Sequence, residues 1–127
     1  MGSVEFVVLY VGDIGVSKTF YTGILGLSPQ ELSPTFVSYQ LPSGLKLELC
    51  QRDSRIFSPE LRPTAPVLGG GTELCLSVPD ADSLHRLLAD WKALGARIAQ
   101  EPATTVFGLT FVALDPDSHR LRVVLGL

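Results

Sequence analysis

The sequence predicts an α+β fold made of one βαβββ unit written twice, and three observations predict it. Two helical segments open on an aspartate and close on a glycine at the same separation, Asp13 to Gly26 and Asp82 to Gly95. Each is preceded by a β-rich run and followed by a short strand. Each half then closes on a hairpin, with Pro42 and Pro116 marking equivalent turns. Unit 1 spans residues 4–51 and unit 2 spans 72–125 of a single domain. The intervening 52–71, rich in Pro and Gly and ending Gly69-Gly70-Gly71, reads as a flexible linker.

Taken in order, Val4 to Val11 is almost wholly apolar and β-rich, as expected of a strand covered on both faces. Asp13 offers an N-cap, Val16, Phe20 and Ile24 recur at four-residue spacing, and Gly26 ends the helix. A short strand falls near Leu27 to Leu32. Val37 to Leu41 and Leu45 to Cys50 then form the first hairpin. In the second half Thr72 to Val78 alternates as a strand does, and Asp80 or Asp82 can cap the next helix. Leu84, Leu87, Leu88, Trp91 and Leu94 form its apolar stripe before Gly95. A strand near Ala96 to Glu101 and a hairpin of Leu109 to Leu114 with Arg120 to Val124 complete the unit.

Composition narrows the function classes. The chain has 127 residues, 46% of them hydrophobic and 18% charged, with a formal net charge of −3. This length builds a core by packing alone, without disulfide or metal. The mean hydropathy of +0.31 raises the question of a membrane span, which needs about 20 consecutive apolar residues. The longest uncharged stretch, Leu32 to Leu45, is broken by Pro34, Gln40, Pro42 and Gly44, so no membrane helix is expected. The start has neither a basic segment leading an apolar run nor a myristoylation signal, which makes the cytoplasm the expected location. Scattered basic residues in a mildly acidic chain give no footprint for nucleic acid. Cys50 and Cys75 lack metal or redox spacing and read as reduced thiols. Gly69-Gly70-Gly71 is followed by no Lys-Ser or Lys-Thr and is not a phosphate loop.

The motifs Asp13-Ile14-x-x-Ser17-x-x-Phe20-Tyr21-x-x-Ile24-Leu25-Gly26-Leu27, Gly44-x-x-Leu47-Glu48-Leu49 and Ala113-Leu114-Asp115-Pro116-Asp117-x-x-Arg120-Leu121 together resemble the vicinal oxygen chelate superfamily, the glyoxalase and bleomycin-resistance group. The resemblance runs from Val4 to Val124. It implies two curved mixed sheets, each forming a cup on one face and carrying a helix on the other. It also implies a divalent metal in members that do chemistry, held from the first and last strands of each unit. Carried over, those positions are Phe6 and Glu48 in unit 1, and Glu73 and Arg122 in unit 2.

Two of these four cannot ligate a metal, because Phe6 has no donor atom and Arg122 has no lone pair. No metal or other cofactor is therefore expected, and Arg122 can instead neutralise Glu48 in a salt bridge. With Ser43-Gly44 taken as a two-residue turn, strand parity puts Val37 and Tyr39 on the cup face with Glu48 and Cys50. The second strand set adds Glu73, Cys75 and Phe111, and the first strand adds Phe6, Val8 and Tyr10, with Phe107 near a strand entry. An aromatic cup with a few polar anchors suits a flat, conjugated small molecule. His85 falls on the solvated helix face and His119 in the last turn, so neither is expected to do chemistry.

The leading expectation is a binding protein, with no catalytic residue, that sequesters an aromatic or amphipathic compound such as an antibiotic or other natural product. The resemblance further implies a homodimer, with exchanged and side-by-side pairing both open. The alternative is a lyase, isomerase or dioxygenase-like enzyme with a degenerate metal site, using Glu48 or Glu73 as general base.

Overall fold

The computed structural model of the chain describes residues 2–55, 58–65, 71–106 and 108–126. The chain divides into two compact units, Met1–Ala65 and Pro66–Leu127. Unit 1 contains β1 (Phe6–Val11), α1 (Ile14–Leu25), β2 (Gln30–Ser33), β3 (Phe36–Gln40) and β4 (Lys46–Gln51), followed by one 3-10 turn at Pro59–Leu61. Unit 2 contains β5 (Glu73–Val78), α2 (Ala81–Ala93), β6 (Arg97–Thr105), β7 (Gly108–Leu114) and β8 (Arg120–Leu125). The two sheets have the same topology, with orders β1-β4-β3-β2 and β5-β8-β7-β6. In each, the first strand runs parallel to the last, and the remaining pairs are antiparallel. The expected pair of βαβββ units is the observed architecture.

The helix ends follow from their caps. Asp13 accepts the Val16 N–H at 3.0 Å and so satisfies an orphan donor of the first turn. Gly26 ends α1 at φ 65°, a left-handed conformation that a residue without Cβ adopts freely. In α2 the cap is Asp80, whose side chain accepts the Ser83 N–H at 2.7 Å, while Asp82 lies inside the first turn. The matched Asp-to-Gly separations thus conceal a second helix that starts earlier.

The buried face of α1 is also rotated from the expected stripe. Ser17, Tyr21 and Ile24 are buried, whereas Val16 is 54% exposed. In α2 the buried residues are Leu84, Leu88 and Trp91, as the stripe predicts, but Leu94 stays exposed.

One hairpin decides which residues share a face. Leu41 N–H donates to Leu45 O, and Gly44 N–H donates to Leu41 O, both at 3.0 Å, so the turn holds Pro42, Ser43 and Gly44. Gly44 takes φ 95°, the left-handed position that closes a three-residue hairpin. A two-residue turn at Ser43-Gly44 would pair Pro42 with Leu45, and Pro42 has no N–H to donate. The observed register is Tyr39 with Leu47, Ser38 with Glu48 and Val37 with Leu49. A slip of one residue exchanges the two faces of β3. Val37 and Tyr39 therefore lie on the helix-covered face, not beside Glu48.

The same turn recurs in unit 2. Asp115 N–H donates to His119 O at 3.0 Å, Ser118 N–H donates to Asp115 O at 2.9 Å, and Ser118 takes φ 70°. The buried Asp115 carboxylate braces it, accepting the Asp117 and His119 N–H groups at 2.8 Å and meeting His119 Nδ1 at 2.7 Å. Phe111 consequently pairs with Val123 on the helix-covered face, where its ring meets Trp91 edge-on at 5.6 Å. This overturns its expected place in the cup.

Candidate functional site

Of the residues expected in the site, Phe6, Val8, Tyr10, Glu48 and Cys50 of unit 1 and Glu73, Cys75 and Arg122 of unit 2 lie on the sheet faces that do not carry the helices. In unit 1 the parallel register sets Phe6 beside Lys46, Val8 beside Glu48 and Tyr10 beside Cys50, and β3 adds Phe36 and Ser38. The helix-covered face takes the other parity, with Leu9, Val37, Tyr39, Leu47 and Leu49 buried on it. Tyr39 belongs there chemically as well as by register. Its hydroxyl donates to Lys18 O at 3.0 Å and meets Thr22 Oγ1 at 2.9 Å, both on α1. Burial pushes this phenol above its ordinary range. Val37 lines a cavity of about 180 Å³ at the start of α1, together with Ile14, Lys18 and Glu31.

In unit 2 the helix-free face carries Glu73 beside Arg120, Cys75 beside Arg122 and Ser77 beside Val124, with Thr110 and Val112 from β7. Glu73 is clamped. Its two oxygens accept Arg122 Nε at 2.9 Å and Nη2 at 3.1 Å, and Oε2 also accepts Arg120 Nε at 2.7 Å. This fork-to-fork geometry holds the Glu73 carboxyl below its ordinary range, the bond from Arg122 acting most strongly. Arg122 also donates from Nη1 to Thr110 Oγ1 at 3.3 Å, and that hydroxyl donates onward to Val123 O at 2.6 Å. The expected pairing of Arg122 with Glu48 gives way to pairing with Glu73, its close neighbour across β5 and β8.

The two units differ at equivalent places. Phe6 on β1 occupies the register position that Glu73 holds on β5, and Glu48 on β4 occupies that of Arg122 on β8. Unit 2 thus has a carboxylate on its first strand and two cations on its last, and satisfies them internally. Unit 1 has a carboxylate on its last strand and a phenyl ring on its first. Glu48 is only 8% exposed, and among the described residues it forms no hydrogen bond or ion pair. Every buried side-chain oxygen or nitrogen among the described residues has a partner, so the Glu48 oxygens are those that still touch solvent while the stem is covered.

These positions fit a metal poorly. Phe6 contributes no donor atom, Arg122 contributes a positive charge, and Glu73 is already held by two guanidinium groups. Among the described residues no group of three His, Cys, Asp or Glu side chains is placed to share an ion. Cys50 is buried with its thiol pushed up by burial, and Cys75 is exposed on β5; both are free thiols. Phe107 lies outside the described residues.

Sequence reasoning missed Arg120, Ser38 and Thr110 as members of these faces. In unit 1 the missing signal was the turn: Pro42 at its first position and Gly44 at its third favour a three-residue hairpin, whereas the equivalent third position in unit 2 is Ser118, which carries no such signal.

Three kinds of comparison bear on identity. The sequence matches the Glyoxalase/Bleomycin resistance protein/Dioxygenase superfamily over residues 3–123. It is 30% identical over 118 residues to the phenazine antibiotic resistance protein EhpR of Enterobacter agglomerans, a match that covers 91% of this chain and 85% of that one. A protein of Agrobacterium tumefaciens solved by NMR superposes with a TM-score of 0.85 at 41% identity, covering 100% of this chain and 99% of that chain. A glyoxalase-related enzyme from Fulvimarina pelagi superposes equally well, TM-score 0.85, at 21% identity over 99% of this chain and 89% of its own, which speaks to the fold alone. On this match, nearly end to end, and on the paired βαβββ units, the chain belongs to the glyoxalase/bleomycin resistance protein/dioxygenase superfamily.

Proposed function

We propose that the chain is a small-molecule binding protein that works without a metal and sequesters a flat aromatic compound, an antibiotic or similar natural product. The observation that carries this reading is the fate of the four positions from which relatives would hold a metal. One is a phenyl ring, one is a guanidinium, and one is a carboxylate clamped between two guanidiniums. What remains suits recognition: the half-exposed Phe6 ring, the partly covered Val8, Tyr10 and Phe36, and a small number of fixed polar groups. Aromatic surfaces of this kind bind conjugated rings by stacking and desolvation. The antibiotic-resistance relative supports the same class and points to nitrogen-containing tricyclic aromatics as the first compounds to try. In this reading two chains pair as a dimer, which light scattering of the purified protein tests.

The experiment is an equilibrium titration with phenazine, followed by absorbance or calorimetry, alongside elemental analysis of the purified protein. Saturable binding that is unchanged by a chelator is the expected result. Failure of the folded protein to bind phenazine or other planar antibiotics overturns it. So does stoichiometric divalent metal that disappears in Glu48→Gln, which would favour the enzyme alternative. Only the unpartnered Glu48 carboxylate speaks for that alternative.

A further inference from the structure

A carboxylate whose stem is buried and whose oxygens meet no protein donor is an expensive feature for a fold to keep. Removing such a group from water without a compensating bond is unfavourable in an apolar setting, and less so where solvent still reaches it. Unit 2 shows how this architecture removes the problem, because Glu73 sits within 3.1 Å of nitrogens on both Arg120 and Arg122. Unit 1 places Phe6 at the position equivalent to Glu73, and Val8 and Ser38 directly beside Glu48. No cation of its own sheet answers Glu48: Lys46 is exposed, on β4 itself, and pairs in register with Phe6. The Glu48 oxygens remain reachable from solvent. The group is therefore unsatisfied within the fold and accessible from outside it.

We infer that the compound bound at this face carries a hydrogen-bond donor on its aromatic frame, an amino group or protonated ring nitrogen, and that Glu48 accepts it. This inference rests on the small-molecule reading given above and names the chemistry of its ligand. The donor would complete in the complex what Glu73 and its arginines complete within unit 2. A charge-assisted bond to a carboxylate that has no protein donor is strong enough to govern selection among compounds of similar shape. Its neighbours Val8, Tyr10 and Phe36 contribute area without discriminating one flat ring from another.

The test compares two probes of nearly the same shape, phenazine, which has no donor, and 2-aminophenazine, which has one. The expected result is on the order of tenfold tighter binding of 2-aminophenazine to the wild-type protein, the preference a bond to a charged group confers. In Glu48→Met, of similar length but apolar, the preference for 2-aminophenazine over phenazine should vanish. The same substitution should raise the melting temperature of the ligand-free protein, because it removes an unsatisfied polar group. Equal binding of the two probes to the wild type overturns the inference and leaves the small-molecule reading standing. Absence of binding by both probes removes that reading and the inference with it. A lowered melting temperature or loss of folding in Glu48→Met also overturns it, since Glu48 would then be serving the fold rather than a ligand.

Discussion

Two tyrosines of one sheet, on the strands either side of β4, show how much depends on where one side chain points. Tyr10 pairs with Cys50 on the helix-free face, while Tyr39 reaches under α1 to Lys18 O and Thr22 Oγ1. Tyr39→Phe should therefore destabilise the protein by about 1–2 kcal/mol, the worth of a buried hydroxyl's bonds, and leave phenazine affinity unchanged. Urea unfolding and the phenazine titration together check this, and a large loss of affinity would return Tyr39 to the site. Glu73 makes a second residue-scale prediction, in pH. Arg122 and Arg120 depress its folded pKa, so its ion pairs contribute stability above the ordinary carboxylate range, and that contribution is lost as pH falls through the lowered folded value. Glu73→Gln should be less stable than wild type by about 1–3 kcal/mol at pH 7, with the gap narrowing toward pH 3. Denaturant midpoints at the two pH values measure it, and a gap independent of pH would contradict the assignment.

At the scale of elements, the helix caps and hairpin turns carry the specificity of the fold. Asp80 and Asp82 both stand before the apolar stripe of α2, and local sequence alone does not choose between them. Asp80 accepts the Ser83 N–H, so Asp80→Ala should lower the midpoint of thermal or chemical unfolding, and Asp82→Ala should lower it much less. The turn between β3 and β4 decides more. Gly44 at φ 95° closes a three-residue loop, and that loop sets the register which sends Val37 and Tyr39 to the helix and Glu48 to the opposite face. A substitution with Cβ at Gly44, such as Gly44→Ala, forces a conformation disfavoured by about 1–2 kcal/mol, although nothing stands within 4 Å of the added carbon. The loss would thus come from backbone conformation, not from a clash.

For the whole molecule, the two units share one topology and differ in how they treat charge. Unit 2 closes its carboxylate and arginines on one another, and unit 1 leaves the buried Glu48 without a partner among the described residues. No helix among the described residues is long and apolar enough to cross a membrane. If a compound with an aromatic amine occupies the site, the native state should gain about 2.7 kcal/mol at a hundredfold excess over its dissociation constant. A thermal shift with 2-aminophenazine reads this directly, and the shift should survive a chelator. Much of this architecture was legible in the chain. The Asp and Gly helix signals, the paired strands and the two Pro turns specify the repeated βαβββ unit, because caps, turns and periodicity are local and act through the backbone. That Phe6 and Arg122 offer no atom to a metal is equally legible, since it follows from which atoms those side chains possess. Only the tertiary structure decided which aromatics face the helices and which carboxylate Arg122 binds. Face and partner depend on strand register, which one residue in a turn can invert, and on groups distant in sequence such as Glu73 and Arg122 meeting across parallel strands.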